Sequence, residues 1–275
     1  MSGKVDAQIF SETFNYDAKT DCLIHKRKSS FKFPFSELTD RGTHYEADLN
    51  PRFEREGMYN RYEGVFTFCR VGQRVDLDPD GMAEKYGLSI SELKGKTDFD
   101  VMVNQDYYNL RVTQALWPSI EIAGEPFWCY VKHRVISAQD IEVRSTIDFA
   151  EMRKEHGFTV YENNSNCYYF PYDLTTKTIS DVDFSSLKNL PQNIVIVQVP
   201  DERSIDPVGL ARLQGLNVKA FLKLNPIRDM EFKAKVIPWS KTTVPEIIQR
   251  NTNIKVSAVT VSQPKKNRRK RARGI

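Results

Sequence analysis

The sequence is poor in the residues that build familiar metal, redox and nucleotide sites. Its 275 residues include four cysteines and four histidines. Cys22, Cys69, Cys129 and Cys167 stand far apart with no C-x-x-C pair, which argues against a cysteine-rich zinc site. Cys69 and Cys129 fall in apolar, strand-like runs, where a thiol behaves as a small buried hydrophobe. His25, His44, His133 and His156 have no His or Cys partner at ligand spacing, and H-E-x-x-H and H-x-H are both missing. So are G-x-S-x-G, the phosphate-binding G-x-x-x-x-G-K-[ST] and the dinucleotide G-x-G-x-x-G. No metal, cofactor or catalytic residue is therefore expected. No apolar run approaches the ~20 residues needed to span a bilayer, and the opening MSGKVDAQIF lacks the apolar stretch of a secretory signal. The expectation is an intracellular protein (cytoplasm, the nucleus of a eukaryote, or a virion) with no membrane partner.

Cations, by contrast, are abundant at one end. Residues 265–273 read Lys-Lys-Asn-Arg-Arg-Lys-Arg-Ala-Arg, seven cations in nine positions, directly after Pro264. With no acidic partner and no apolar periodicity this block cannot bury itself, so it is read as a disordered basic tail over 263–275 that seeks polyanions. From residue 215 onward there are fifteen Lys and Arg against three acidic residues (Asp229, Glu231, Glu246). The formal total is +4, so residues 1–214 carry a net charge of −8. An acidic body with a basic end is the polarity expected of a nucleic-acid-associated protein. A nuclear-localisation address and a protein partner are the other readings of the same block.

The body reads as α+β, with mixed or antiparallel sheets, short helices and two subdomains: residues 1–150 and a β-rich 158–262. Phe14-Asn-Tyr16-Asp17 before Thr20-Asp21 and Cys22-Leu-Ile24 predicts a hairpin. Phe170-Pro-Tyr172-Asp173 repeats its F-x-Y-D-x-x-T pattern, by duplication or by ordinary turn chemistry. Strands are predicted at 64–71, 127–135, 141–149, 194–199, 218–224, 232–238 and 254–261, and short helices at 81–87, 89–95, 105–116 and 207–215. Residues 26–57 read as a long connection with short elements. Val218, Ala220, Leu222 and Leu224 alternate with Lys219 and Lys223, as Phe232, Ala234 and Val236 do with Lys233 and Lys235. As neighbouring strands, these would place Lys219, Lys223, Lys233 and Lys235 on one lysine-studded face that extends the basic footprint of the tail. Leu116 and Trp128 are expected in the core beside Leu93 and Phe99.

Two groups of carboxylates test the non-catalytic reading. Asp76-Leu-Asp78-Pro-Asp80-Gly81 begins like a calcium loop, but Gly87 stands where a bidentate Glu belongs. An exposed turn is the simpler reading. Asp229-Met-Glu231-Phe-Lys233 contains the E-x-K of metal-dependent nucleases without an upstream Asp to complete it.

From Gly64 to about Phe149 the chain resembles a PAS domain. The likeness rests on Ala83-Glu-Lys-Tyr-Gly-Leu-Ser-Ile-Ser-Glu-Leu-Lys-Gly-Lys-Thr-Asp-Phe-Asp100, on Gly124-Glu-Pro-Phe127 opening a strand, and on its Tyr130…Arg134-Val135-Ile136 ending. The resemblance implies an interaction module without a known ligand, because residues 105–116 hold no histidine for haem and no Asn-Cys-Arg flavin motif occurs. A helix-turn-helix over 82–94 is the rival reading of these residues, with a second helix nearly free of base-reading side chains.

The function expected from sequence is non-catalytic binding of the nucleic-acid backbone, as in a viral or mobile-element component. It would be carried by Lys265, Lys266, Arg268, Arg269, Lys270, Arg271 and Arg273 with Lys219, Lys223, Lys233 and Lys235, and accompanied by protein contacts or self-association. The alternatives are a PAS-like regulatory module whose tail is an address, and a nuclease or replication factor with an unrecognised site.

Overall fold

The computed structural model describes residues 4–9, 12–47 and 69–259, the side chains of 254–259 excepted. With 33% helix and 29% strand the fold is α+β. Two compact units form from interleaved segments: Met1–Ser119, Cys129–His133 and Glu202–Phe232 make one, and Ile120–Trp128, Arg134–Asp201 and Lys233–Ile275 make the other.

The first unit opens with a four-stranded antiparallel sheet in chain order: β1 (Asp6–Ile9), β2 (Glu12–Asp17), β3 (Cys22–His25) and β4 (Lys32–Pro34). Strict alternation sends Phe14, Tyr16 and Leu23 into the core, where they have no exposed surface. The β2–β3 turn is tied by the Thr20 hydroxyl, which donates to Asp17 at 2.5 Å. After the 3-10 turn Phe35–Glu37, β5 (Thr39–Asp40), β6 (Tyr45–Ala47) and β7 (Cys69–Val71) make a small antiparallel sheet. Five short helices follow: α1 (Arg74–Leu77), α2 (Pro79–Tyr86), α3 (Ile90–Leu93), α4 (Asp98–Met102) and α5 (Gln105–Tyr108). Capping chemistry accounts for the breaks between them. Ser89 and Thr97 each form a reciprocal capping box, with Glu92 and Asp100 respectively, and Asn104 caps α5.

The chain then lays down β8 (Ser119–Ile122), β9 (Glu125–Tyr130), β10 (Val135–Ala138) and β11 (Thr146–Asp148), and turns into α6 (Phe149–Met152). A second hairpin, β12 (Cys167–Asp173) and β13 (Thr178–Ile179), precedes β14 (Ile194–Pro200). β12 and β14 pair antiparallel over seven residues. Three helices, α7 (Glu202–Ile205), α8 (Pro207–Leu213) and α9 (Val218–Leu224), lead to β15 (Glu231–Lys233) and β16 (Lys235–Ile237). The last element among the described residues is α10 (Val244–Val259). β15 lies beside β8 in the order β11-β10-β9-β8-β15, and β16 beside β14 in the order β13-β12-β14-β16. Val160, Phe184, Ile196, Ile237 and Val244 form the core of the second unit.

One helical device occurs twice. Asp78-Pro-Asp-Gly81-Met-Ala83 … Gly87-Leu-Ser89 is matched by Asp206-Pro-Val-Gly209-Leu-Ala211 … Gly215-Leu-Asn217. Each Asp is 1% exposed and N-caps a helix by accepting from the glycine amide three residues on, with nearly equal backbone angles (φ −141°, ψ 70° and φ −139°, ψ 77°). Pro occupies the first turn of each helix. Gly87 (φ 65°) and Gly215 (φ 67°) supply the left-handed turn after each helix. Ser89 and Asn217 then cap the next one. The two F-x-Y-D phrases also occupy matching positions, on the first strands of two hairpins, with Phe14, Tyr16, Phe170 and Tyr172 all fully buried.

Several expectations are corrected. Residues 218–224 are helix, not strand: Asn217 accepts from the Ala220 amide and commits Val-Lys-Ala-Phe-Leu-Lys-Leu to the 3.6 period. The single lysine-studded face over Lys219, Lys223, Lys233 and Lys235 therefore does not form. The β-branched run 254–259 continues α10, and residues 260–261 lie outside the described set, as do Phe66, Phe68 and most of the strand predicted over 64–71. The helix predicted over 105–116 is one α-turn followed by a π-helical turn at Asn109–Thr113, which leaves Leu116 49% exposed. Trp128 alternates outward on β9 and is 38% exposed. Ile141 is exposed outside any strand. Asp76 and Asp80 are exposed as expected, but Asp78 is buried, where it accepts from the Gly81 and Ala18 amides and pairs with Lys4 at 3.0 Å.

Candidate nucleic-acid interface

Lys265, Lys266, Arg268, Arg269, Lys270, Arg271 and Arg273 lie outside the described residues. Of the four body lysines, Lys233 and Lys235 stand exposed on β15 and β16, and the Lys233 ammonium donates to Glu121 at 2.7 Å. Lys219 is exposed on α9, its ammonium 5.1 Å from the centre of the Phe99 ring.

Lys223 cannot meet a phosphate from its position. Its side chain is 3% exposed, paired with Asp40 at 2.8 Å and donating to the Tyr45 hydroxyl at 3.3 Å. It belongs to a buried polar cluster of the first unit that the sequence did not announce. Arg74, 1% exposed, donates through Nε and Nη2 to both oxygens of Asp21 (2.7 and 3.2 Å) and through Nη1 to the Tyr45 hydroxyl (2.7 Å). Its guanidinium carbon sits 4.1 Å from the centre of the Phe35 ring. The Tyr45 hydroxyl in turn donates to Asp98 at 2.8 Å, and Asp98 also accepts from the amides of Arg74 and Val75. Burial drives the Tyr45 hydroxyl far above the ordinary tyrosine range, and the charge of Asp98 adds to the rise. Tyr16 is raised by burial and by Asp21. Burial is the largest single effect on Arg74 and opposes its charge, but its hydrogen bonds to Asp21 together with its electrostatic interactions with Tyr45, Asp21 and Asp98 outweigh it and hold the proton more firmly. Tyr16, Tyr45 and Arg74 each hold their proton firmly, and their hydrogen bonds fasten β6, α1 and α4 together. A cavity of about 250 Å³ lies beside it, lined mainly by Phe35, Leu38, Tyr45, Leu216, Phe221 and Leu224.

A second buried pair stands apart from this one. Arg111 grips Asp206 with two parallel hydrogen bonds, Nε at 3.0 Å and Nη2 at 2.8 Å, while its guanidinium stacks on Trp117 with 4.3 Å to the ring centre. Arg111 is the third residue of the π-helical turn Asn109–Thr113, and a lone arginine in a short helical stretch gave no signal in isolation. The repeated D-P-x-G phrase did carry one, since it marks both capping aspartates.

Neither group of carboxylates assembles a site. Asp229 accepts from the amides of Met230 and Glu231 and so closes a turn. Among the described residues no three His, Cys, Asp or Glu side chains are placed to share a metal ion. Nor does any described helix have the length and apolar character to cross a membrane. The PAS-like residues 83–100 span α2 to α4, and 124–136 span β9, a 3-10 turn and the start of β10. In comparisons with known proteins, no family model, curated protein or solved structure matches the chain.

Proposed function

We propose that this protein binds nucleic acid without acting on it chemically, holding the phosphate backbone through its basic C-terminal segment. The observation that carries the reading is the density of charge: seven cations within residues 265–273 and none of the acidic residues that would neutralise them. Exposed Lys233 and Lys235 add to the basic character of the same end of the sequence. Backbone binding of this kind is electrostatic and indifferent to base sequence.

The test is fluorescence anisotropy with labelled oligonucleotides of unrelated sequence. Full-length protein should bind them with similar affinity. Deletion of residues 263–275 should weaken binding by at least tenfold, and a tail with the same residues in shuffled order should restore it. Unchanged affinity after the deletion would remove the proposal. Cleavage of the oligonucleotide in magnesium, lost on Glu231→Gln, would favour the nuclease alternative instead.

A further inference from the structure

The two D-P-x-G devices belong to a longer repetition. Ile9, Phe14, Ala18 and Leu23 recur, at one constant separation, as Ile122, Phe127, Val131 and Ile136, and all of them are fully buried. At the same separation Asp21 (φ 52°) and Arg134 (φ 63°) hold left-handed backbone without being glycine. Further along, Val71, Asp78, Gly81 and Gly87 recur at a second constant separation as Val199, Asp206, Gly209 and Gly215. Tyr45 stands opposite Val71 in one strand pair, and Tyr168 opposite Val199 in the other. Each capping aspartate meets a cation that precedes the first strand of its copy: Lys4 with Asp78 at 3.0 Å, and Arg111 with Asp206 at 2.8 Å. Thus β1 to β4, a helical turn, an antiparallel strand pair and two helices recur in the same order as β8 to β11, α6, β12 with β14, and α7 with α8. The F-x-Y-D echo falls outside this alignment.

A cavity recurs with the fold. Leu38 and Tyr45 line the one of about 250 Å³ in the first copy, and their counterparts Met152 and Tyr168 line one of about 840 Å³ in the second. Protein interiors are close-packed with few voids, so recurrence at one place sets these cavities apart from chance packing flaws. The smaller cavity has the more decided chemistry. Phe35, Leu38, Ala220 and Phe221 give it apolar walls, and Leu216 and Leu224 line it while 46% and 53% exposed. Its charged lining is Asp40, Arg74 and Lys223. Arg74 is spent on Asp21 and the Tyr45 hydroxyl, and Lys223 is paired with Asp40, so neither lining cation awaits a counterion. The Lys223 ammonium has three N–H donors and meets two acceptors among the described residues, Asp40 at 2.8 Å and the Tyr45 hydroxyl at 3.3 Å. One donor remains.

We propose that the cavity beside Lys223 binds a small uncharged molecule, apolar over most of its surface, with one hydrogen-bond acceptor for the remaining Lys223 donor. An apolar cavity of about 150 Å³ takes benzene, so this one suits two fused rings. Apolar walls reward an apolar body. A charged ligand would bring an unmatched charge into a site whose own charges are already paired, at a desolvation cost nothing offsets. The site goes beyond nucleic-acid binding and does not rest on it.

Calorimetric titration of the full chain with three probes tests this: 1-tetralone, its parent hydrocarbon tetralin, and 2-naphthoate. Tetralone should bind about threefold to tenfold more tightly than tetralin, the worth of one hydrogen bond, and at least about tenfold more tightly than the anion. Lys223→Met with Asp40→Asn removes donor and counterion together. It should bring tetralone down to the affinity of tetralin and leave tetralin unchanged. Leu216→Ser with Leu224→Ser alters two exposed positions and should weaken tetralone and tetralin at least about fivefold through lost apolar contact, with little change in melting temperature. Deleting residues 263–275 should leave probe binding as it is, whatever it does to oligonucleotides. Binding of none of the probes, naphthoate as tight as tetralone, or tetralone affinity unchanged in both double variants would each overturn the proposal and leave the proposed function standing.

Discussion

Asp206 performs two tasks with one carboxylate. It accepts from the Gly209 amide to start α8 and receives both hydrogen bonds from Arg111, all at 1–2% exposure. A buried ion pair costs desolvation on both sides, so its removal as a pair and its rupture differ sharply. Arg111→Met should destabilise the protein by about 3–5 kcal/mol, because it strands a buried carboxylate. Adding Asp206→Asn should recover most of that loss, since asparagine still caps a helix and carries no charge. Urea denaturation of the two variants decides the matter. A double variant no more stable than the single one would show that Arg111 contributes by packing on Trp117, not by pairing. His156 gives a second test at this scale, read through pH. Burial is the main cause holding its folded pKa below the ordinary histidine value of about 6.5, so the neutral ring is favoured in the fold. The unfolded chain therefore binds the proton first as the pH falls. The stabilisation from the neutral ring is fully present above about 6.5 and is lost as the pH drops from there toward the depressed folded value. Melting temperature should consequently fall more steeply between pH 7 and 5 for the wild type than for His156→Gln. Parallel curves would show that burial does not hold the ring neutral.

At the scale of elements, side chains that cap and turn the chain proved more informative than hydrophobic alternation. The helices at 81–87 and 89–95 were legible because Gly87, Ser89 and Gly95 mark their ends, and all three act as caps or left-handed turns. Residues 218–224 misled because Val218, Ala220, Leu222 and Leu224 satisfy a period of two, while Val218 and Leu222 also satisfy i, i+4. Asn217 decided between them. The paired D-P-x-G devices make a prediction of their own. Gly81 and Gly209 have ordinary negative φ, so conformation does not demand glycine there; space does. A Cβ on Gly81 would overlap the Asp78 carboxylate and the methyl group of Ala18, and one on Gly209 would overlap the Asp206 carboxylate and crowd Val131. Each Gly→Ala change should cost about 1–3 kcal/mol, the usual penalty of overpacking, against the slight gain alanine brings at an open helical site. Thermal melts check this. A rise in melting temperature for either variant would mean that the cap relaxes at no cost. The cation–aromatic cluster around Arg74 was not legible, because Asp21, Tyr45, Arg74, Asp98 and Lys223 are far apart in sequence and only the fold brings them together.

For the whole molecule the governing quantity is the separation of charge along the chain, about −8 over residues 1–214 and +12 beyond. It was fully legible in the sequence, since net charge does not depend on the fold. What the sequence could not give was which lysines face water: Lys223 is spent on Asp40 inside the first unit, whereas Lys233 and Lys235 are exposed. The charge distribution predicts how binding responds to salt. Each cation that meets a phosphate releases condensed counterions, so log K falls against log salt by about 0.7 per contact on a single strand. Seven contacts from residues 265–273 give a slope near −5. Deleting residues 263–275 should therefore reduce the slope by about 5 units and leave only the shallow dependence of the remaining contacts. The acidic body works in the opposite direction, because its repulsion of the strand is screened by the same salt. A wild-type slope nearer to −2 would mean that most tail cations stay paired with counterions or with the body's own carboxylates while the strand is bound. Anisotropy titrations across a salt series, run on the full chain and on the deletion, separate these outcomes by slope alone.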